Sequence, residues 1–199
     1  MIVGRVALIT ILGLLLCTFG CNGAAPNYGL PIALGSTSDD VRKLLGAPTA
    51  RYRPATTGDT VETIQNVGKN AEIVIEWYYS SGIVGSFNRD RLSTITLFTY
   101  SDYRGFLVYS GTVVNGVRLA DSKQSILDKL GKPTKVESEP LDAGTNPDVP
   151  ELWPKESRYY WHFKNYTLEA TFLNQAQNVS EKEKLTFPKD KLIAITLTK

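Results

Sequence analysis

Leu34-Gly-Ser-Thr-Ser-Asp-Asp-Val-Arg-Lys-Leu-Leu-Gly-Ala-Pro-Thr49 and Leu119-Ala-Asp-Ser-Lys-Gln-Ser-Ile-Leu-Asp-Lys-Leu-Gly-Lys-Pro-Thr134 share one skeleton: Leu, a hydroxyl residue, Val or Ile, then Leu-Gly-x-Pro-Thr. Thr37 and Ser122 stand where a side-chain oxygen can take a free amide of a first helical turn, and Asp40 completes a capping box in the first copy. Val41, Leu44 and Leu45, or Ile126, Leu127 and Leu130, line one face of a short helix. Gly46 and Gly131 supply the left-handed residue that ends it, and Pro48 and Pro133 prevent continuation. Helices of about two turns are unstable alone, so each must pack on something.

Moving outward, that something is a sheet. Residues 73–79 alternate, with Ile73, Ile75, Trp77 and Tyr79 on one face and Glu72, Val74, Glu76 and Tyr78 on the other. Their counterpart at 159–163 directs Tyr159, Trp161 and Phe163 inward and Tyr160 and His162 outward, with Trp77 and Trp161 aligned. Further strands follow at 83–87 and 166–172, and at 92–97 and 192–197, the last pair after Arg-Asp-Arg or Lys-Asp-Lys turns. The expectation is an α+β fold of two tandem repeats, 30–105 and 106–199, each a short capped helix packed on an antiparallel β-meander. Long connections, 53–70 and 136–157, join helix to sheet in each repeat.

A capped helix ending in Leu-Gly-x-Pro-Thr, followed by a Trp/Tyr-rich strand and two more strands, resembles the unit of the SmpA/OmlA-type outer-membrane-assembly lipoproteins and of the β-lactamase inhibitor protein. The resemblance covers most of 30–199. It implies a fold that works by binding proteins at its sheet and loops, with no catalytic residues to carry over.

Ahead of the repeats, Arg5 precedes an uninterrupted apolar run over 6–20, the length of a signal-peptide core and short of the roughly 18–20 residues a spanning helix needs. Residues 1–20 read as a signal peptide. Cys21 follows Thr18-Phe19-Gly20 at the end of the run, and no cysteine occurs downstream. This is similar to the lipobox of bacterial lipoproteins, which implies acylation of Cys21, a palmitate-class anchor, and a lipidated tether over 21–29. An unmodified Cys21 beside an ordinary cleavage site, or an uncleaved anchor, are the alternatives. Several acyl chains at about 0.8 kcal/mol per buried CH₂ make a stable anchor. The expected location is therefore outside the cytoplasm, on a bacterial membrane.

With 22 basic and 20 acidic side chains, the chain offers no electrostatic case for nucleic acid. His162 is the single histidine, so neither a His-based metal site nor a Ser-His-Asp triad has partners to build on, and no phosphate-binding glycine loop follows a strand. No cofactor and no metal are expected. Glu72, Glu76 and Glu169 could gather on one sheet face, which keeps an enzyme with an acidic face as one alternative. The leading expectation is a non-enzymatic envelope lipoprotein that binds or scaffolds another envelope protein; an exported inhibitor or immunity-type protein is the other alternative. Candidate contact residues are Tyr78, Tyr160 and His162 on the face away from the helices, with Trp153 in the second long connection.

Overall fold

The computed structural model describes residues 29–53, 62–63, 73–100, 105–138, 156–174, 176–180 and 185–199. The first half contributes α1 (Ser38–Leu45), β1 (Ala50–Arg53), a two-residue β2 (Glu62–Thr63), β3 (Ile73–Tyr78), β4 (Ile83–Asn88) and β5 (Arg91–Phe98). The second contributes α2 (Lys123–Leu130), β6 (Lys135–Ser138), β7 (Glu156–His162), β8 (Thr167–Leu173), β9 (Gln177–Ser180), β10 (Leu185–Phe187) and β11 (Leu192–Thr198).

Nine of these strands form one antiparallel sheet in the order β2-β1-β3-β4-β5-β11-β8-β7-β6, while β9 and β10 make a separate hairpin. At its centre β5 pairs with β11, Thr96 opposite Thr196, joining strands about a hundred residues apart in the chain. The expected architecture of two tandem helix-on-meander repeats is thereby overturned. Among the described residues the protein is predominantly β, with two eight-residue helices lying against a single continuous sheet. The physical reason is that a meander ending at β5 or β11 would expose a long edge of unpaired amides. Each of these strands removes the other's edge.

Both helices begin as their sequences require. Thr37 Oγ1 accepts from the Asp40 amide at 3.1 Å and donates to the Asp40 carboxylate at 2.7 Å, and Ser122 Oγ accepts from the Ser125 amide at 3.2 Å. Gly46 and Gly131, with φ of 84° and 75°, return their N–H groups to Arg42 and Leu127. The predicted turns pin the helix starts. Asp90 accepts from Ser38 and Asp190 from Lys123, two acceptors held on turn residues of positive φ.

The core lies between the sheet and this helical layer. Val41 and Ile126 point down from the helices, joined by Ile32, Val113, Val117 and Leu119 from the two segments that cross the sheet. They meet Ile83, Phe87, Ile95, Leu97, Leu168, Phe172, Ile195 and Leu197, all essentially inaccessible. Each such side chain contributes about 1.5–3 kcal/mol of burial.

The face assignment of β3 is the second correction. Thr49 N donates to Trp77 O at 2.8 Å and Thr134 N to Tyr160 O at 2.7 Å, so Trp77 corresponds to Tyr160, and Tyr78 to Trp161. The expected alignment of Trp77 with Trp161 is off by one, and a one-residue slip sends every side chain of a strand to the opposite face. Hence Val74, Glu76 and Tyr78 are buried under the helices, and Ile73, Ile75, Trp77 and Tyr79 face away. Burial of Glu76 is possible because two cations and a neutral donor reach it: Arg42 from α1, Arg51 Nε from β1 at 2.9 Å, and the Tyr78 hydroxyl at 2.6 Å. The long connections also hold the two edge strands of the sheet, β2 in the first and most of β6 in the second, where the sequence predicts only loop.

Candidate functional site: the open sheet face

Because paired residues of adjacent strands share a face, the register writes out the surface away from the helices. One row runs from β3 to β6: Trp77, Val84, Thr96, Thr196, Glu169, Tyr160 and Lys135. A second row, from Phe98 through Ala194 and Thr171 to Arg158, runs beside it. Side chains in the middle are small, and those at both sides are large.

The result is a groove of 420 Å³ across β5, β11, β8 and β7. Its floor is Thr96, Thr196, Ala194 and Thr171; Phe98, Tyr100 and Phe187 wall one side, and Arg158, Glu156 and Glu169 the other. Phe187, at the end of the β9–β10 hairpin, meets Tyr100 edge-on at 5.7 Å between centroids. The aromatic wall continues along the sheet, where Trp77 stacks on Phe98 at 5.8 Å and Phe106 meets both Trp77 and Tyr79 edge-on. Such rings offer large, rigid contact area at small entropic cost.

The charged wall is an interlocked set. Arg158 lies 3.8 Å from Glu169 and 4.0 Å from Glu156, and Thr171 Oγ1 donates to Glu169 at 3.1 Å. Tyr160 Oη donates to Glu137 at 2.7 Å. Burial, and then the Glu137 carboxylate, push the Tyr160 hydroxyl up to about 12, so it stays a donor. Glu137 in turn is held below the ordinary carboxylate range by Lys135 and by Tyr160. With two carboxylates against one guanidinium at the groove wall, the surface is polar, mildly acidic at one side and aromatic at the other.

Of the candidate contact residues, Tyr160 and His162 do stand on this face. His162 is exposed, its Nδ1 2.9 Å from Thr167 Oγ1. Tyr78 does not: at 1% exposure it is a core residue, and no partner can touch it. Trp153 lies outside the described residues, as do Cys21, the leader and Glu72. Glu76 and Glu169 sit on opposite faces, so the carboxylate cluster that an acidic-face enzyme required is not assembled from them. Among the described residues no three His, Cys, Asp or Glu side chains come together to hold a metal, and no helix is long and apolar enough to cross a membrane.

Sequence reasoning missed Trp77, Phe98 and Arg158. The alternation of Thr94, Thr96 and Phe98 in one strand with Ala194, Thr196 and Thr198 in another was the signal available, and it acquires meaning only once β5 is known to lie beside β11.

No family model and no curated protein matches the chain. Among solved structures, it is similar to a DUF4309 family protein (YjgB) from Bacillus subtilis, with 17% identity, a TM-score of 0.37, and coverage of 82% of this chain and 78% of that one.

Proposed function

We propose that this protein is a non-enzymatic envelope lipoprotein, anchored through Cys21, that binds another envelope protein across the open face of its sheet. The observation that carries the binding surface is the groove itself, a floor of small residues between an aromatic wall and a charged one on a face that the helices leave uncovered. Aromatic residues and arginine beside one another are the side chains that dominate binding energy at protein interfaces. The anchor rests on the apolar leader and the position of Cys21.

A photoreactive residue placed at Tyr160 or Thr196 in cells should crosslink to one discrete envelope protein, and Arg158→Glu should abolish the product while the protein folds normally. The same residue at Asn88, at the far end of β4, should give none. Identical products at all three positions, or a product indifferent to Arg158→Glu, would remove the groove as the contact. For the anchor, radiolabelled palmitate should enter the wild-type chain and not Cys21→Ser.

A further inference from the structure

We infer that the end of the domain carrying Gly29 and residues 106–111 is a membrane-facing surface, inserting Leu107 and Val108 at the lipid interface and taking an anionic phospholipid headgroup between Arg118 and Lys191. The inference rests on the anchored reading above and adds the orientation of the domain on the bilayer.

Three independent features coincide at this end. The first is closeness in sequence to the anchor. Gly29 is fixed against the crossing segment: Tyr109 Oη donates to its carbonyl at 3.2 Å, and at φ +73° a Cβ here would stand 2.5 Å from the Thr112 carbonyl oxygen. From Cys21 to Gly29 is eight residue steps, which span ~28 Å at most when fully extended. An acylated Cys21 therefore keeps Gly29 and its neighbours within reach of the headgroups, at high effective concentration.

The second is apolar exposure. Leu107 and Val108 are 57% and 46% exposed, two consecutive aliphatic side chains. Their backbone is rigidly seated, since Leu107 N donates to Tyr79 O at 2.8 Å and a Cβ on Gly82 would collide with the Leu107 carbonyl at 2.2 Å. The pair is thus held outward on a fixed ledge.

The third is charge. Beside that ledge is a pocket of 420 Å³ lined by Val108, Tyr109, Ser110, Arg118, Leu119 and Lys191, in which, among the described residues, the two cations are the ionic side chains. The carboxylates nearest in sequence to the two cations are both engaged, Asp121 by Lys129 Nζ at 2.6 Å and the Arg118 amide at 2.8 Å, and Asp190 by Lys123 Nζ at 2.9 Å. Aliphatic residues flanked by cations are the composition of interfacial membrane contacts, and each cation near an anionic surface strengthens binding roughly fivefold.

The test uses the full-length protein reconstituted into vesicles. Cys17 lies in the leader and Cys21 is acylated, so Leu107→Cys or Val108→Cys gives a unique labelling site. With phosphatidylcholine/phosphatidylglycerol vesicles bearing headgroup nitroxides, a fluorophore at 107 or 108 should be quenched several-fold more than one at Asn88→Cys, at the opposite end of β4. Arg118→Ala with Lys191→Ala, or vesicles of phosphatidylcholine alone, should cut that quenching several-fold. Equal quenching at 107 and 88 overturns the inference. So does binding of inorganic phosphate at the pocket with the 107 label unquenched, which would mark a soluble-anion site. Failure of the anchor reads out separately, as protein that does not float with vesicles after a high-salt wash. In that case the unanchored protein, carrying Cys21→Ser so that the label stays unique, must still show salt-sensitive quenching at 107 on anionic vesicles, or the surface is rejected too.

Discussion

The Tyr78 hydroxyl donates to Glu76 Oε2 at 2.6 Å, and both residues, two apart on β3, are sealed beneath α1 at 1% and 0% exposure. A tyrosine expected at the surface is a structural member of a buried ion network with Arg42 and Arg51. Tyr78→Phe keeps the ring and removes a hydrogen bond to a charged group, so it should cost about 1.5–3 kcal/mol. Urea denaturation measures the loss. Crosslinking at the groove should be unchanged, whereas a tyrosine acting as a contact would show the reverse pattern.

Alkaline pH should probe the same bond. Burial first, and then the facing Glu76 carboxylate, hold Tyr78 far above the ordinary tyrosine value of 10.0, and Tyr160 is raised to about 12. Both groups keep their protons in the folded chain at a pH where the unfolded chain has lost them. Stability is therefore full below the unfolded value and falls as pH rises above it toward the folded values. Urea midpoints should decline above about pH 10, and the decline should be shallower in Tyr78→Phe. A wild-type profile flat through this window would contradict the buried bond.

The two described tryptophans should report the strand register. Trp161, at 4% exposure and donating through Nε1 to Gly131 O at 3.0 Å, closes the end of α2, while Trp77 lies on the opposite face against Phe98. In variants that retain one tryptophan, acrylamide should quench Trp77 and leave Trp161 nearly untouched. Equal protection of the two would restore the alignment of Trp77 with Trp161.

That register is where the sequence ceased to be legible. The helices could be read because their signals are local: a hydroxyl cap, an apolar face, Gly and then Pro within one short window. The central strands could be read from their alternation. The aromatic runs could not, because Glu76-Trp77-Tyr78-Tyr79 and Tyr159-Tyr160-Trp161-His162 place apolar rings on both faces. Binary patterning then favours the face that hides no charge. Glu76 breaks that rule only because Arg42 and Arg51 reach it from elements 34 and 25 residues away. The same distance dependence hid the union of the halves at β5 and β11, and with it the groove.

Helix starts offer a direct measure of how much the local signals contribute. Thr37→Ala and Ser122→Ala each remove an oxygen that satisfies a first-turn amide, a loss of about 1 kcal/mol per site. Thr37→Ala should cost more, since it also takes a donor from Asp40. Thermal melts of both variants test the order, and the capping replacements Thr37→Ser and Ser122→Asp should stay near wild type.

Filling the groove separates binding from folding more cleanly than removing its walls. Ala194 lies on the floor between Phe98 on β5 and Thr171 on β8, only 8% exposed, and borders the groove on the face away from the helices. Truncating Phe98 would lose its stacking on Trp77, a contact that also supports the sheet. Ala194→Phe adds bulk where there is room, with high strand propensity and an aromatic neighbour to pack against, so its stability should stay within about 1 kcal/mol of wild type. The ring would occupy the space a partner's side chain needs. Crosslinking from Tyr160 should therefore fall by at least tenfold while the melting temperature holds, and undiminished crosslinking would place the contact elsewhere on the protein.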